Sequence, residues 1–188
     1  MISEYEYLLK EKYKININSL DSGANKYNWK KGEKRGGFDY KPAYGWIGFG
    51  LKVWGYYDGG NNEWLSHNGN KNEWPVAYIR DGYHTINYIL NGTFKIGYRQ
   101  AYQDYPDINH PGQKMGVGIY CTPDPSIMED YASYDNMIDY NGKKYIIGLM
   151  MRVKPDKIRC CSEQKDYWIL NPTSDEIRPY RILIKEIK

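Results

Sequence analysis

Long apolar runs are missing from this chain. The longest, Tyr145 to Met151, stops far short of the roughly 20 residues that a membrane-spanning helix needs, and it suits a buried strand. Cysteine is scarce: there are three, and two of them are adjacent, Cys160 and Cys161. An odd count with that spacing excludes a disulfide framework and lacks the paired spacing of a zinc site, so no metal is expected. Met1 opens directly into the polar, amphipathic MISEYEYLLKEKYKI, which lacks the features of a secretory leader. These absences together predict a reducing, intracellular setting and no membrane partner. Strong charge of one sign is also missing, because a net charge of +3 demands no polyanionic partner.

What is present describes a chain that folds. At 188 residues it has room for one domain with a real core. Hydrophobic residues make up 41% and charged residues 26%, as in ordinary globular proteins. Aromatic residues reach 16%, with 21 Tyr and 6 Trp, well above what a disordered segment carries.

Charge is unevenly spread. Lys26 to Lys41 (KYNWKKGEKRGGFDYK) sets six basic residues against Glu33 and Asp39, with Tyr27, Trp29, Phe38 and Tyr40 among them. Such a mixture can bind single-stranded nucleic acid through phosphate contacts and base stacking. It carries no recognised nucleic-acid motif, however, so a solvated arm packed by its aromatics is the preferred reading. The chain accordingly divides into an N-terminal helix and basic aromatic arm, 1–44, and a main domain, 45–188.

Local patterns predict an α+β architecture. Ser3 caps a helix to Tyr13, with Tyr7, Leu8 and Leu9 as its apolar stripe. Strands are expected over Trp46–Trp54, Trp74–Arg80, Gly116–Cys121, Tyr145–Val153, Tyr167–Leu170 and Arg178–Ile187. Thr85–Leu90 reads as a short helix ended by Asn91-Gly92. Asp124-Pro125 starts another that runs to about Tyr134. Between them, Ile96 to Lys114 is a long polar loop, and loops of that length in small domains are often functional. Strands dominate and helices are short, which favours α+β over alternating βαβ units.

Three segments stand out in order. The first is Val76-Ala77-Tyr78-Ile79-Arg80-Asp81 with the following Ile89-Leu90-Asn91-Gly92. The second is Gly116-Val117-Gly118-Ile119-Tyr120 with Ser126 to Ala132, including Tyr131. The third is Lys165-Asp166-Tyr167-Trp168-Ile169-Leu170 followed by Ile177 to Leu183. Together they resemble the signature of the catalytic domain of PARP-type ADP-ribosyltransferases, the third being similar to the family's terminal pair of strands. The upstream GWIGFGLKV and YDGGNNEW segments are similar to those of fungal and protist proteins that carry a PARP-like domain. The resemblance covers roughly Trp74 to Lys188. It implies an ADP-ribosyltransferase-like fold of mixed, mostly antiparallel sheets with short helices. It also implies NAD as substrate and transfer of ADP-ribose to a protein or small-molecule acceptor.

Residue by residue, the resemblance assigns Tyr120 and Tyr131 to the walls of a nicotinamide pocket, with Gly118 beside them. Tyr78, Ile79 and Arg80 fall where the family places an aromatic or aliphatic residue, a histidine and a glycine. Asp166 stands at the catalytic glutamate position, one methylene shorter, and reads equally as a strand-edge carboxylate facing solvent.

Several dinucleotide anchors are thus replaced. Isoleucine cannot bond a ribose hydroxyl. Arg80 fills a place where the lack of a side chain lets a ligand approach, and Met128 stands where the family offers a serine. Arg80 reads equally as a bidentate anchor for a phosphate or carboxylate and as a surface pair with Asp81. His84 does not substitute, because aligning it with the motif removes the strand-to-helix spacing. Cys121, next to Tyr120, points to the opposite strand face and reads as a buried small hydrophobe. His67 and His110 sit in polar loops with no carboxylate or cysteine at metal-ligand spacing, and they read as surface residues. Two functions follow as expectations: a mono-ADP-ribosyltransferase with an altered site, or a catalytically inactive binding module with a re-used pocket.

Overall fold

The computed structural model describes residues 3–16, 18, 20–21, 32–79, 83–96, 102–130, 137–161 and 163–187, with the backbone alone at 83–85. The expected helix end at Tyr134, the pocket residues Arg80 and Tyr131, and Lys26 to Lys31 of the basic arm lie outside these described residues.

The first helix starts where the sequence signals it. Ser3 Oγ accepts from Glu6 N at 3.2 Å, and Glu6 Oε2 accepts from Ser3 N at 3.0 Å, a reciprocal box that satisfies two free N–H groups. Helix α1, Glu4–Tyr7, continues as a π-helical stretch over Leu8–Lys12. The strands are β1 (Lys34–Arg35), β2 (Phe38–Asp39), β3 (Ile47–Gly50), β4 (Val76–Ile79), β5 (Ile119–Cys121) and β6 (Ile138–Tyr140). They continue with β7 (Lys143–Val153), β8 (Arg159–Cys160), β9 (Trp168–Leu170) and β10 (Ile177–Ile187). Helices α2, Tyr83–Leu90, and α3, Pro125–Asp130, fall between them. Among the described residues no helix is long and apolar enough to cross a membrane.

One sheet runs β3-β10-β7-β4, with β6 paired to the start of β7, and a second runs β5-β9-β8. Reciprocal backbone bonds join them: Tyr78 N donates to Thr122 O at 2.7 Å and Thr122 N to Tyr78 O at 3.0 Å. Every strand pairing among the described residues is antiparallel. The architecture is therefore mixed α and β, built mostly of antiparallel strands with a few short helices.

Strand β7 is buried on both faces, which is why it reads as an unbroken apolar run. Ile147, Leu149 and Met151 belong to a core that takes in Leu8, Leu9 and Tyr13 from the first helix and Ile86 and Ile89 from α2. Ile146 and Met150 belong to a second core with Tyr40, Trp46, Tyr78, Met128 and Leu183. Gly148 lets the two layers approach, since a Cβ there would lie 2.8 Å from Met128 Sδ and 3.2 Å from the Ile79 carbonyl oxygen.

One expectation changes here. The strand expected over Trp46–Trp54 ends at Gly50, with one further bridge at Leu51. Gly55 then takes a left-handed backbone (φ 73°), its N–H donates to Asn62 Oδ1, and Trp54 is left 77% exposed. Strand β9 lies between β5 and β8, and β10 between β3 and β7. Pro179, which cannot donate in a central strand, sits where the β10–β7 register shifts.

Candidate functional site

Strand alternation sends Ile119 and Cys121 into the core and leaves Tyr120 on the other face, half-buried. Ile169 on β9 is its cross-strand partner, and Arg159 on β8 follows Ile169 in register. The 102–118 segment lies over this face. Tyr102 N donates to the Tyr120 hydroxyl at 3.2 Å, and the two rings are 6.4 Å apart. Tyr102 also approaches Tyr105 at 5.6 Å and Tyr167 at 5.5 Å. Burial holds the Tyr120 phenol above its ordinary pKa, although the bond from Tyr102 opposes the shift.

Gly118 is packed, with no open space at its α-carbon. A Cβ there would collide with the Leu170 carbonyl oxygen, and it would lie 2.6 Å from Ile169 Cγ2 and 2.7 Å from Arg159 Nη2. Arg159 donates to the carbonyls of Met115 and Val117 and to Asn171 Oδ1, so its guanidinium ties the end of the covering segment to the small sheet.

Tyr78 is 1% exposed, and its hydroxyl donates to the Lys41 carbonyl at 2.6 Å. Burial, and then the field of Tyr40, raises its pKa well above the phenol value. Ile79 is 6% exposed and packs in the core on the opposite face from Tyr78. Met128 fills the space against Gly148. The side chain of His84 lies outside the described residues.

Asp166 sits in an exposed turn before β9, and its charge raises the pKa of Lys41. Lys41 Nζ is 2.6 Å from Asp124 Oδ2, and this bond is the largest cause of its upward shift. Burial works to raise Asp124, but the Lys41 and Ser126 bonds outweigh it and hold the carboxyl below its ordinary value. Asp124 Oδ1 accepts from Ser126 N at 2.9 Å and from Ser126 Oγ at 2.6 Å at the start of α3, as the sequence signal implied. Beside them opens a cleft of about 430 Å³ lined by Tyr40, Lys41, Tyr44, Asp124, Ser126 and Glu129, among others. Glu129 accepts from Trp46 Nε1 at 2.8 Å and from Lys185 Nζ at 2.6 Å, which fixes the floor.

The described cations of the basic arm are each paired: Lys34 with Asp39 at 3.8 Å, Arg35 with Glu33 at 2.8 Å, and Lys41 with Asp124. No group of three or more His, Cys, Asp or Glu that could hold a metal ion occurs among the described residues.

The expectation for His110 needs correction. Its Nδ1 is 2.6 Å from Asp107 Oδ2, and the Asp107 side chain is fully buried. The ring's Nε2 is 3.2 Å from the Asp156 carbonyl. The i, i+3 spacing was visible in sequence, but in a loop that spacing does not make two residues face each other. Cys121 is buried, and burial raises its thiol pKa far above the ordinary value. Cys160 is pushed up to about 11 by burial, with the charge of Asp107 adding to the effect. No family model matches the chain, and no curated protein matches it.

Proposed function

We propose that this chain is a divergent ADP-ribosyltransferase-like domain that acts as a binding module rather than as a transferase. The observation that carries this reading is the hydrogen bond from Tyr102 N to the Tyr120 hydroxyl. The phenol that the resemblance assigns to a nicotinamide wall is already engaged by the chain's own backbone and stands beside the Tyr102 ring. The burial of Ile79 and Met128 supports it, since neither offers a polar atom to a dinucleotide. The re-used pocket is the cleft beside Lys41, Asp124 and Ser126, whose volume falls within the range of small-molecule sites.

Incubation with labelled NAD and a cell lysate tests the reading. The expected result is no labelled acceptor and no nicotinamide release, unchanged in Asp166→Ala. Transfer that disappears in Asp166→Ala would overturn it.

One observation favours a second reading, mono-ADP-ribosyl transfer from NAD. Asp166 keeps an exposed carboxylate within electrostatic reach of Lys41, at the sequence position where the family has its catalytic glutamate.

A further inference from the structure

The segment over Tyr120 is tied down at two points. At its end, Arg159 donates to the Met115 and Val117 carbonyls. At its middle, the tie is made by His110 and Asp107. Asp107 is inserted beside β8: Oδ1 accepts from Cys160 N at 3.1 Å and from Asn109 N at 2.9 Å, and Ile108 N donates to Cys160 O at 2.9 Å. His110 completes the arrangement by contacting Asp107 with one ring nitrogen and the Asp156 carbonyl with the other.

We propose that His110 and the buried Asp107 form a proton-controlled latch that holds the 102–116 segment closed over Tyr120. Both ring nitrogens face acceptors, a carboxylate oxygen at 2.6 Å and a carbonyl oxygen at 3.2 Å. Only the imidazolium has two N–H donors. A neutral ring has one. If the remaining proton stays on Nδ1, the lone pair of Nε2 meets the Asp156 carbonyl. If it moves to Nε2, the lone pair of Nδ1 meets the Asp107 carboxylate. Either tautomer turns one attractive contact into a repulsive one, and the buried carboxylate loses its counter-charge.

The groups that face His110 act in the same sense. Asp107 is the largest influence and raises its pKa, and the Asp156 carbonyl adds to this. Partial burial and Lys157 work the other way without reversing the direction. Behind Asp107 stand Cys160 and Cys161, both buried, and burial keeps the Cys160 thiol protonated near neutrality. A raised histidine contributes its full stabilisation below the ordinary value of about 6.5 and loses it as pH rises through the folded value. The latch is therefore shut below the ordinary histidine value and released as pH rises through the folded one. The Arg159 tie has no such dependence, because guanidinium stays charged throughout.

Amide hydrogen exchange on the full chain, corrected for intrinsic rates and read by NMR, tests this without any ligand. The Tyr102 amide reports the cover over Tyr120 directly, and amides of β7 serve as the reference for global opening. Protection at Tyr102 and Ile108 should fall about tenfold between pH 6 and pH 9, the effect of losing one charge-assisted bond, while β7 holds. The midpoint of that fall should coincide with the titration of the His110 ring followed in the same samples. In His110→Gln, whose uncharged amide keeps its N–H donors at every pH, the fall should vanish. Protection that ignores pH in the unaltered chain would overturn the proposal. So would a midpoint that departs from His110, or an equal fall in His110→Gln. Should His110→Gln fail to fold, the two midpoints in the unaltered chain still decide.

Discussion

The 54–75 segment and the 102–118 segment are both turn-rich, both lie against strands, and both are held there by side-chain ties. They differ in what holds them. The first is gripped by Arg178 of β10 and Arg152 of β7, which are cross-strand partners and almost fully buried. Arg178 makes a two-pronged pair with Asp58, both bonds at 2.7 Å, donates to Ser174 O at 2.6 Å, and lies against the rings of Trp74, Tyr57 and Trp64 at 4.3, 4.5 and 5.1 Å. Arg152 donates to the carbonyls of Leu65, Ser66 and Trp74. The second segment has one arginine, partly exposed, and one histidine. Stacking rings and a permanent cation make the first attachment indifferent to rising pH, whereas a titrating histidine makes the second sensitive to it.

Breaking the stronger attachment should have the largest effect. Arg178→Ala removes a buried guanidinium, strands its aromatic neighbours around a cavity, and releases Asp58. We expect a loss of about 3 kcal/mol or more in chemical denaturation. Arg178→Lys should recover little of it, because an ammonium can neither grip both carboxylate oxygens nor stack as a plane. A loss below about 1 kcal/mol in Arg178→Ala would mean that the rings alone hold the 54–75 segment.

Next in size is a change at the second attachment. Gly118→Ala drives a methyl group into the Leu170 carbonyl and the Ile169 side chain, and the backbone oxygen cannot swing aside. About 2 kcal/mol should be lost, read from the thermal midpoint, with exchange at Tyr102 rising as the Arg159 tie is displaced. A neutral outcome would show that β5 and β9 can separate, and that the small sheet is looser than the large one.

Local signals carry most of what is legible without the structure. The helix caps at Ser3 and Asp124, the stop at Gly92 and the apolar run through β7 depend on neighbours a few residues apart, and each is readable. Tyr120 and Cys121 were assigned to opposite faces by alternation alone, and they lie in different core clusters. Strands β1 and β8 are two residues long, too short to show a period. The tie between Arg178 and Asp58 spans 120 residues, and that between Asp107 and Cys160 spans 53. No periodicity encodes such contacts. Nor did the resemblance reveal that the Tyr102 backbone meets the Tyr120 hydroxyl, because that contact arises from how the 102–118 segment folds back.

The smallest prediction sharpens the comparison most, because it gives the two attachments opposite responses to pH. The Arg178 bond is the main cause that holds the Asp58 carboxyl below its ordinary pKa, against a small opposing effect of burial. A depressed carboxylate contributes stability above the ordinary value of about 3.9 and loses it as pH falls through the folded value. The Asp58 side chain is 46% exposed, so water screens the pair and the contribution is about 1 kcal/mol. Asp58→Asn should therefore lower the denaturation midpoint modestly at pH 7, and the difference from the unaltered chain should shrink as acid carries the native carboxyl through its folded value. A loss that stays equal at every pH would show that Asp58 acts through packing rather than charge. If the expected pattern holds, acid loosens the 54–75 segment and alkali loosens the 102–118 segment, so both covers are firmly held only in the range between.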